Sequence, residues 1–141
     1  MFKRILVPTD VSEASRQALI TALQLAKQFN SEVELFHVTF NLEAYFAYAV
    51  SYGIYITPEQ LEENGNAALE AALTGIDVGN VPLHKKHTPG YPATEIIEES
   101  KRDFDLIVMG RHGHGLITGT VIGSVTQRVL AHAQCPVLVV K

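Results

Sequence analysis

Disulfide chemistry is the first thing this sequence excludes. It holds one cysteine, Cys135. No intrachain disulfide framework can form, and a lone thiol fits a reducing, cytoplasmic setting. Beside Pro136, that cysteine reads as a structural core residue. Positive charge is scarce as well: 11 Lys plus Arg stand against 15 Asp plus Glu, a formal charge of −4. A nucleic-acid surface would show a clustered basic excess, so no nucleic-acid partner is expected. Long apolar runs are missing. The opening MFKRILVPTD is basic, but its apolar stretch stops at Pro8. That is too short for a signal core or a membrane span, so neither export nor membrane insertion is expected. No low-complexity linker divides the 141 residues, and one domain over 1–141 is the expectation.

What is present describes a folded chain: 47% hydrophobic and 18% charged residues. Ile5-Leu6-Val7 is a β-branched apolar run ended by Pro8, which predicts a first strand over 3–8. Apolar strands without alternation suit a sheet covered on both faces. Ser12 reads as the N-cap of a helix to about residue 30, with Ala18, Ala22, Leu25, Ala26 and Phe29 on its buried face. A second strand follows over 32–39, with Val33, Leu35 and His37 on one side. Thr57-Pro58-Glu59-Gln60 has the form of a capping box with Pro at N1. The helix it opens places Leu61, Ala68, Ala72 and Ile76 on one face, tolerates Gly65 as a weak point, and closes at Gly75 and Gly79. A third strand is expected over 83–88 and a third helix after Gly90-Tyr91-Pro92, with Ala93, Ile96 and Ile97 inward. Strand 4 (104–109), a helix over about 123–133 and strand 5 (136–140) complete the chain. Alternating strands and helices with right-handed crossovers build an open five-stranded parallel sheet with helices on both faces, an α/β fold.

Such sheets bind ligands at the carboxyl ends of their strands, where the strand order reverses. The ends of strands 1 and 4, Pro8-Thr9-Asp10 and Met109-Gly110, would be neighbours there. Between strand 4 and the last helix lies MGRHGHGLITGTVIGSVT, residues 109–126, with glycines at 110, 113, 115, 119 and 123. Glycines let backbone approach a ligand, and a helix start offers unpaired N–H groups with a partial positive charge. The stretch therefore reads as a phosphate cradle. It is not a P-loop, since no lysine occurs between 102 and 140. Nor is it a dinucleotide fingerprint, which belongs after the first strand.

The spacing Gly110-x-x-Gly113, nine residues, then Gly123-Ser124 resembles the G-2x-G-9x-G-[ST] motif of the universal stress protein family, in its ATP-binding branch. The likeness extends to Ile5 through Asp10, Gly90 with Pro92, Asp105 through Gly110, and His132 through Val140. It implies a Rossmann-like, adenine nucleotide α-hydrolase-like fold with strand order 3-2-1-4-5. It also implies ATP as cofactor, with Gly110, Gly113, Gly123 and Ser124 on the phosphates and Val125, Thr126 and His114 adding contacts. Pro8, Thr9 and Asp10 would line ribose and adenine, and the Val38 backbone would meet the base. Asp10 is also a candidate to help hold Mg2+ or Mn2+, since carboxylate oxygens suit hard cations. Met109 ends the strand that delivers the cradle. Arg111 is either a phosphate counter-charge or a surface residue.

Efficient catalysis is not marked out. Phosphoryl transfer needs a charge clamp and a group that positions the nucleophile. Arg111, His112 and His114 are the candidate clamp, Asp10 is the one obvious acid, and no separate base appears. A metal pair of His112 and His114 lacks a third ligand nearby. His84 and His87 are expected to be solvated. Tyr45, Tyr48, Tyr52 and Tyr55 step at helical intervals, either packing on the body or a second subunit, or forming an aromatic wall beside the ligand. In the family the apolar strand 136–140 pairs across a two-fold axis, which implies a homodimer.

Overall fold

The computed structural model describes residues 1–40, 50–53, 57–113 and 121–141, and of Phe40 the backbone alone. Five strands, β1 (Arg4–Thr9), β2 (Glu32–Phe40), β3 (Leu83–Gly90), β4 (Leu106–Gly110) and β5 (Val137–Val140), alternate with four helices: α1 (Glu13–Phe29), α2 (Pro58–Leu73), α3 (Pro92–Ser100) and α4 (Ser124–His132). All sheet pairings are parallel, in the order β3-β2-β1-β4-β5. The expected topology is the observed one. Strand ends differ by one or two residues, with β3 extended to Gly90 and β4 starting at Leu106 because the Asp105 carboxylate instead accepts the Arg4 N–H at 2.9 Å.

Period two along the central strands builds two cores. Ile5, Val7, Val33, Leu35, Leu106 and Val108 face α1 and α2, where Ala18, Leu19, Ala22, Leu23, Ala26 and Leu69 meet them. Leu6, Phe36, Ile107 and Met109 face the other way, onto Ile96 of α3 and Val129 of α4. Each fully buried large apolar side chain is worth about 1.5–3 kcal/mol, so the double-sided sheet is what carries the fold. Cys135 packs at the edge of the second core, where burial raises its thiol above the ordinary range.

The helix ends follow their local chemistry. Ser12 caps α1 by accepting the Ser15 N–H at 3.2 Å, and Asn30 ends it in the left-handed conformation, φ 55°. Thr57 and Gln60 complete a reciprocal capping box at 3.1 and 2.9 Å. Among the described residues no helix is long and apolar enough to cross a membrane.

Several expected faces shift. Phe29 is exposed and packs edge-on against Phe2, while Leu19 and Leu23 take the buried positions in α1. In α2 the buried line runs through Gly65, Leu69 and Ala72. Gly65 is no weak point: a Cβ there would collide with the His87 ring. His87 is correspondingly not solvated. Its side chain is 13% exposed and its Nε2 lies 3.2 Å from Glu62. Tyr45, Tyr48 and Tyr55 lie outside the described residues, whereas Tyr52 is exposed and Gly53 follows it at φ 69°.

Candidate functional site

Strand order reverses on either side of β1, and a cleft of about 270 Å³ opens there at the carboxyl ends of the strands. Its inner wall is apolar: Phe36 and Val38 from β2, Met109 from β4, Pro92 and Ile96 from α3. Its mouth is polar, formed by Thr9, Asp10, His112, Gly113 and the first turn of α4. A site of that make-up accepts a flat apolar group inside and an anionic group outside.

The β1–α1 turn is tightly bonded. The Asp10 carboxylate accepts from the Ser12 N–H at 3.0 Å and from the Ser12 hydroxyl. Thr9 Oγ1 lies 3.1 Å from Ser15 Oγ and accepts the Val11 N–H at 3.1 Å. The same turn holds Val11 at φ 66°, a left-handed conformation that a β-branched residue rarely adopts. His37 supports it from β2, its Nδ1–H donating to the Thr9 carbonyl at 2.9 Å. These contacts fix the direction of the Asp10 side chain.

Two glycines bring the opposite wall close. A Cβ on Gly110 would stand 2.7–2.8 Å from the backbone of Ala14 at the start of α1. One on Gly113 would run into the Asp10 carboxylate. Side chains at these positions would push the two halves of the cleft apart.

Helix α4 begins without a cap. Gly123 stands at N-cap in extended conformation (φ −63°, ψ 155°) and has no side chain to accept from the first turn. Among the described residues the amides of Ser124, Val125 and Thr126 have no hydrogen-bond partner, as expected of a first helical turn, and all three residues line the cleft. The Gly123 N–H is different. It donates to the Arg111 carbonyl at 2.8 Å and is not offered to a ligand. The Thr126 hydroxyl is also engaged, donating to the Gly110 carbonyl at 2.9 Å.

Of the expected site residues, Pro8, Thr9, Asp10, Val38, Met109, Gly110, Gly113, Gly123, Ser124, Val125 and Thr126 meet in this one cleft. Arg111 does not line it. Its amide bonds the Val140 carbonyl at 3.1 Å, and its Nε is buried with no hydrogen-bond partner among the described residues. His114 lies outside the described residues. The sequence reading missed Ser15, Phe36, Pro92 and Ile96 as lining. The signal for Phe36 was available: it alternates with Leu35 and His37, and so faces the cleft side of the sheet.

Comparison with known proteins agrees with this architecture. The model of the universal stress protein family matches residues 1–141. Universal stress protein MJ0531 of Methanocaldococcus jannaschii is 35% identical over 142 residues, spanning 100% of this chain and 83% of that protein. The solved structure of hypothetical protein MJ0577 superposes with a TM-score of 0.74 at 31% identity, over 100% of this chain and 96% of that one. A universal stress protein solved in complex with cAMP shares the fold, with a TM-score of 0.65 at 24% identity and coverage of 99% and 96%. The chain belongs to the universal stress protein family.

Proposed function

We propose that this protein binds ATP as a regulatory ligand, with weak or no hydrolysis, and passes the bound state on to partners. The observation that carries this reading is the uncapped first turn of α4 opening onto a cleft with an apolar inner wall. Three free amides and the positive end of the helix dipole suit phosphate. Phe36, Val38, Met109, Pro92 and Ile96 suit an adenine ring. A relative with the same fold was solved with cAMP, which is consistent with an adenine nucleotide at home in this architecture.

The described lining contains one carboxylate, Asp10, and no lysine or arginine. Triphosphate charge would be balanced there by a divalent cation brought in with the nucleotide. Mg2+ or Mn2+ fits the donor set, because one carboxylate with phosphate oxygens and water completes such a shell. When bound, the ion would neutralise phosphate charge, and Asp10 would hold it. Asp10 is already tethered to Ser12, and His112, the other titratable group in the described lining, has its Nδ1 3.3 Å from the Gly113 carbonyl, so neither stands free to act as a base on an attacking water. That composition favours binding over turnover.

The two-fold partner would dock on β5, an edge strand whose Leu138 is exposed. Pairing there would cover an otherwise open edge and give a homodimer, in a cytoplasmic setting. Calorimetric titration with ATP and Mg2+ tests the reading. Saturable binding with turnover far below about 1 s⁻¹ supports it. Absence of binding to ATP, ADP and AMP alike contradicts it, and turnover at or above that rate would make the chain an ATPase.

A further inference from the structure

Behind the cleft wall, two glutamates outside the proposed binding meet between β2 and α3. Glu34 leaves β2 on the same face as Phe36, two residues on, and Glu99 sits about one turn beyond Ile96 in α3. Glu99 is 7% exposed, and one oxygen of Glu34, Oε1, is buried without a partner among the described residues. The two carboxyl groups are in hydrogen-bond contact, which requires a proton on one of them.

The surrounding charges do not replace that proton. Lys86 of β3 donates to both oxygens of Glu99, at 2.9 and 2.8 Å, and is thereby committed. Arg4 of β1 is held by Glu32 at 2.7 Å and by the Arg102 carbonyl at 2.7 Å. Its guanidinium also lies over the Phe104 ring. Arg102 reaches Glu99 at 3.5 Å from a side chain 70% exposed. His84, the register neighbour of Glu34, stands 3.7 Å from Glu32, and Asp105 is occupied by the Arg4 N–H. The nearest cation, Lys86, is thus bonded to Glu99, while Arg102 is largely exposed and Arg4 is held by Glu32.

We propose that Glu34 and Glu99 form a proton-operated latch between β2 and α3. With the proton shared, α3 lies against the sheet; without it, like charges in contact loosen α3 and the cleft wall that carries Pro92 and Ile96. Burial, the hydrogen bond to Glu99 and the charge of Glu99 raise Glu34 to about 7, with Lys86 and Arg4 pulling the other way. The latch therefore operates near neutral pH. It stands on the fold alone, and its consequence for a ligand rests on the nucleotide reading above.

Carbon-13 NMR titration of the glutamate carboxyls, with amide hydrogen exchange of α3, tests it in the full chain. One carboxyl is expected to titrate near neutrality. Corrected for intrinsic rates, opening of α3 should rise up to about tenfold between about pH 6 and pH 8. Glu34→Gln keeps a donor facing Glu99 and should abolish both effects. Glu99→Gln frees Lys86 for Glu34, whose titration should fall back to the ordinary glutamate range. Ordinary titration of both glutamates in the unmutated chain, or unchanged pH dependence in Glu34→Gln, would overturn the latch. In a parallel titration, ATP affinity should weaken above neutrality in the wild type and stay level in Glu34→Gln. Exchange that follows pH in a chain binding no ATP supports the latch while removing the nucleotide reading. ATP binding with exchange that ignores pH does the reverse.

Discussion

The hydroxyl of Thr126 donates to the carbonyl of Gly110 at 2.9 Å across the mouth of the β4–α4 crossover. It ties the first turn of α4 to the end of β4, and Thr126 is 3% exposed. That bond sets where the free amides stand relative to the cleft floor. Thr126→Val keeps the shape and removes the donor, leaving a buried carbonyl unpaired. The expected cost is about 1–3 kcal/mol in urea denaturation, with ATP binding weakened in parallel. An unchanged midpoint would mean that the crossover is held elsewhere.

Ser124 occupies the first position of α4, where proline is tolerated because the N–H it lacks has no helical partner. Gly123 already has the extended backbone that a following proline demands. Ser124→Pro should fold normally, by circular dichroism and thermal melting, and lose one phosphate donor. Loss of a hydrogen bond to a charged group, about 1.5–3 kcal/mol, predicts ATP binding weaker by about ten- to a hundredfold. Ser124→Ala, which removes only the hydroxyl, should lose less. Equal losses in the two variants would assign the contact to the hydroxyl instead of the amide.

Stability should fall as pH rises toward neutrality through the Glu34 contribution. Its value in the folded chain, about 7, is raised above the ordinary 4.5, chiefly by burial. Between those values the folded state binds more protons than the unfolded state, so unfolding becomes easier with rising pH. The contribution is fully present below about pH 4.5 and lost through about pH 7. Glu34→Gln should flatten that decline, raising Tm relative to the wild type at mildly alkaline pH and changing it little near pH 5. Parallel Tm profiles for the two proteins would contradict the assignment.

Val11 holds a left-handed backbone, φ 66°, between β1 and α1. A β-branched residue there carries strain of about 1–2 kcal/mol that glycine does not. Val11→Gly should raise stability by up to about 1 kcal/mol once the greater unfolded-state entropy of glycine is counted. A lowered Tm would show that the contacts of the exposed valine outweigh its backbone strain.

Much of the fold was legible because the local signals agree with the global one. Ile5-Leu6-Val7 and the strand 4 run are apolar without alternation, and both prove to be covered on both faces. Ser12, and Thr57 with Gln60, announce helix starts through bonds that the structure makes. Reading failed where tertiary contact decides. The room that Gly65 leaves for His87 joins residues from α2 and β3, and no periodicity encodes it. The same holds for the contact between Glu34 and Glu99, neither of which the sequence singles out. At the site, the glycine spacing marked the strand end and helix start that border the cleft, but not the fate of each amide. That Gly123 N–H turns back to Arg111, while the next three amides have no partner among the described residues, depends on how the chain leaves β4.

The central claim is that the unpaired amides of Ser124, Val125 and Thr126 receive phosphate. Nitrogen-15 NMR titration with millimolar MgATP, set against the same titration with adenosine, addresses it most directly. The account predicts saturable shifts of those three amides with ATP, and with adenosine shifts confined to residues around Phe36, Val38 and Ile96. ATP that leaves the three amides unmoved, or adenosine that moves them equally, would contradict it.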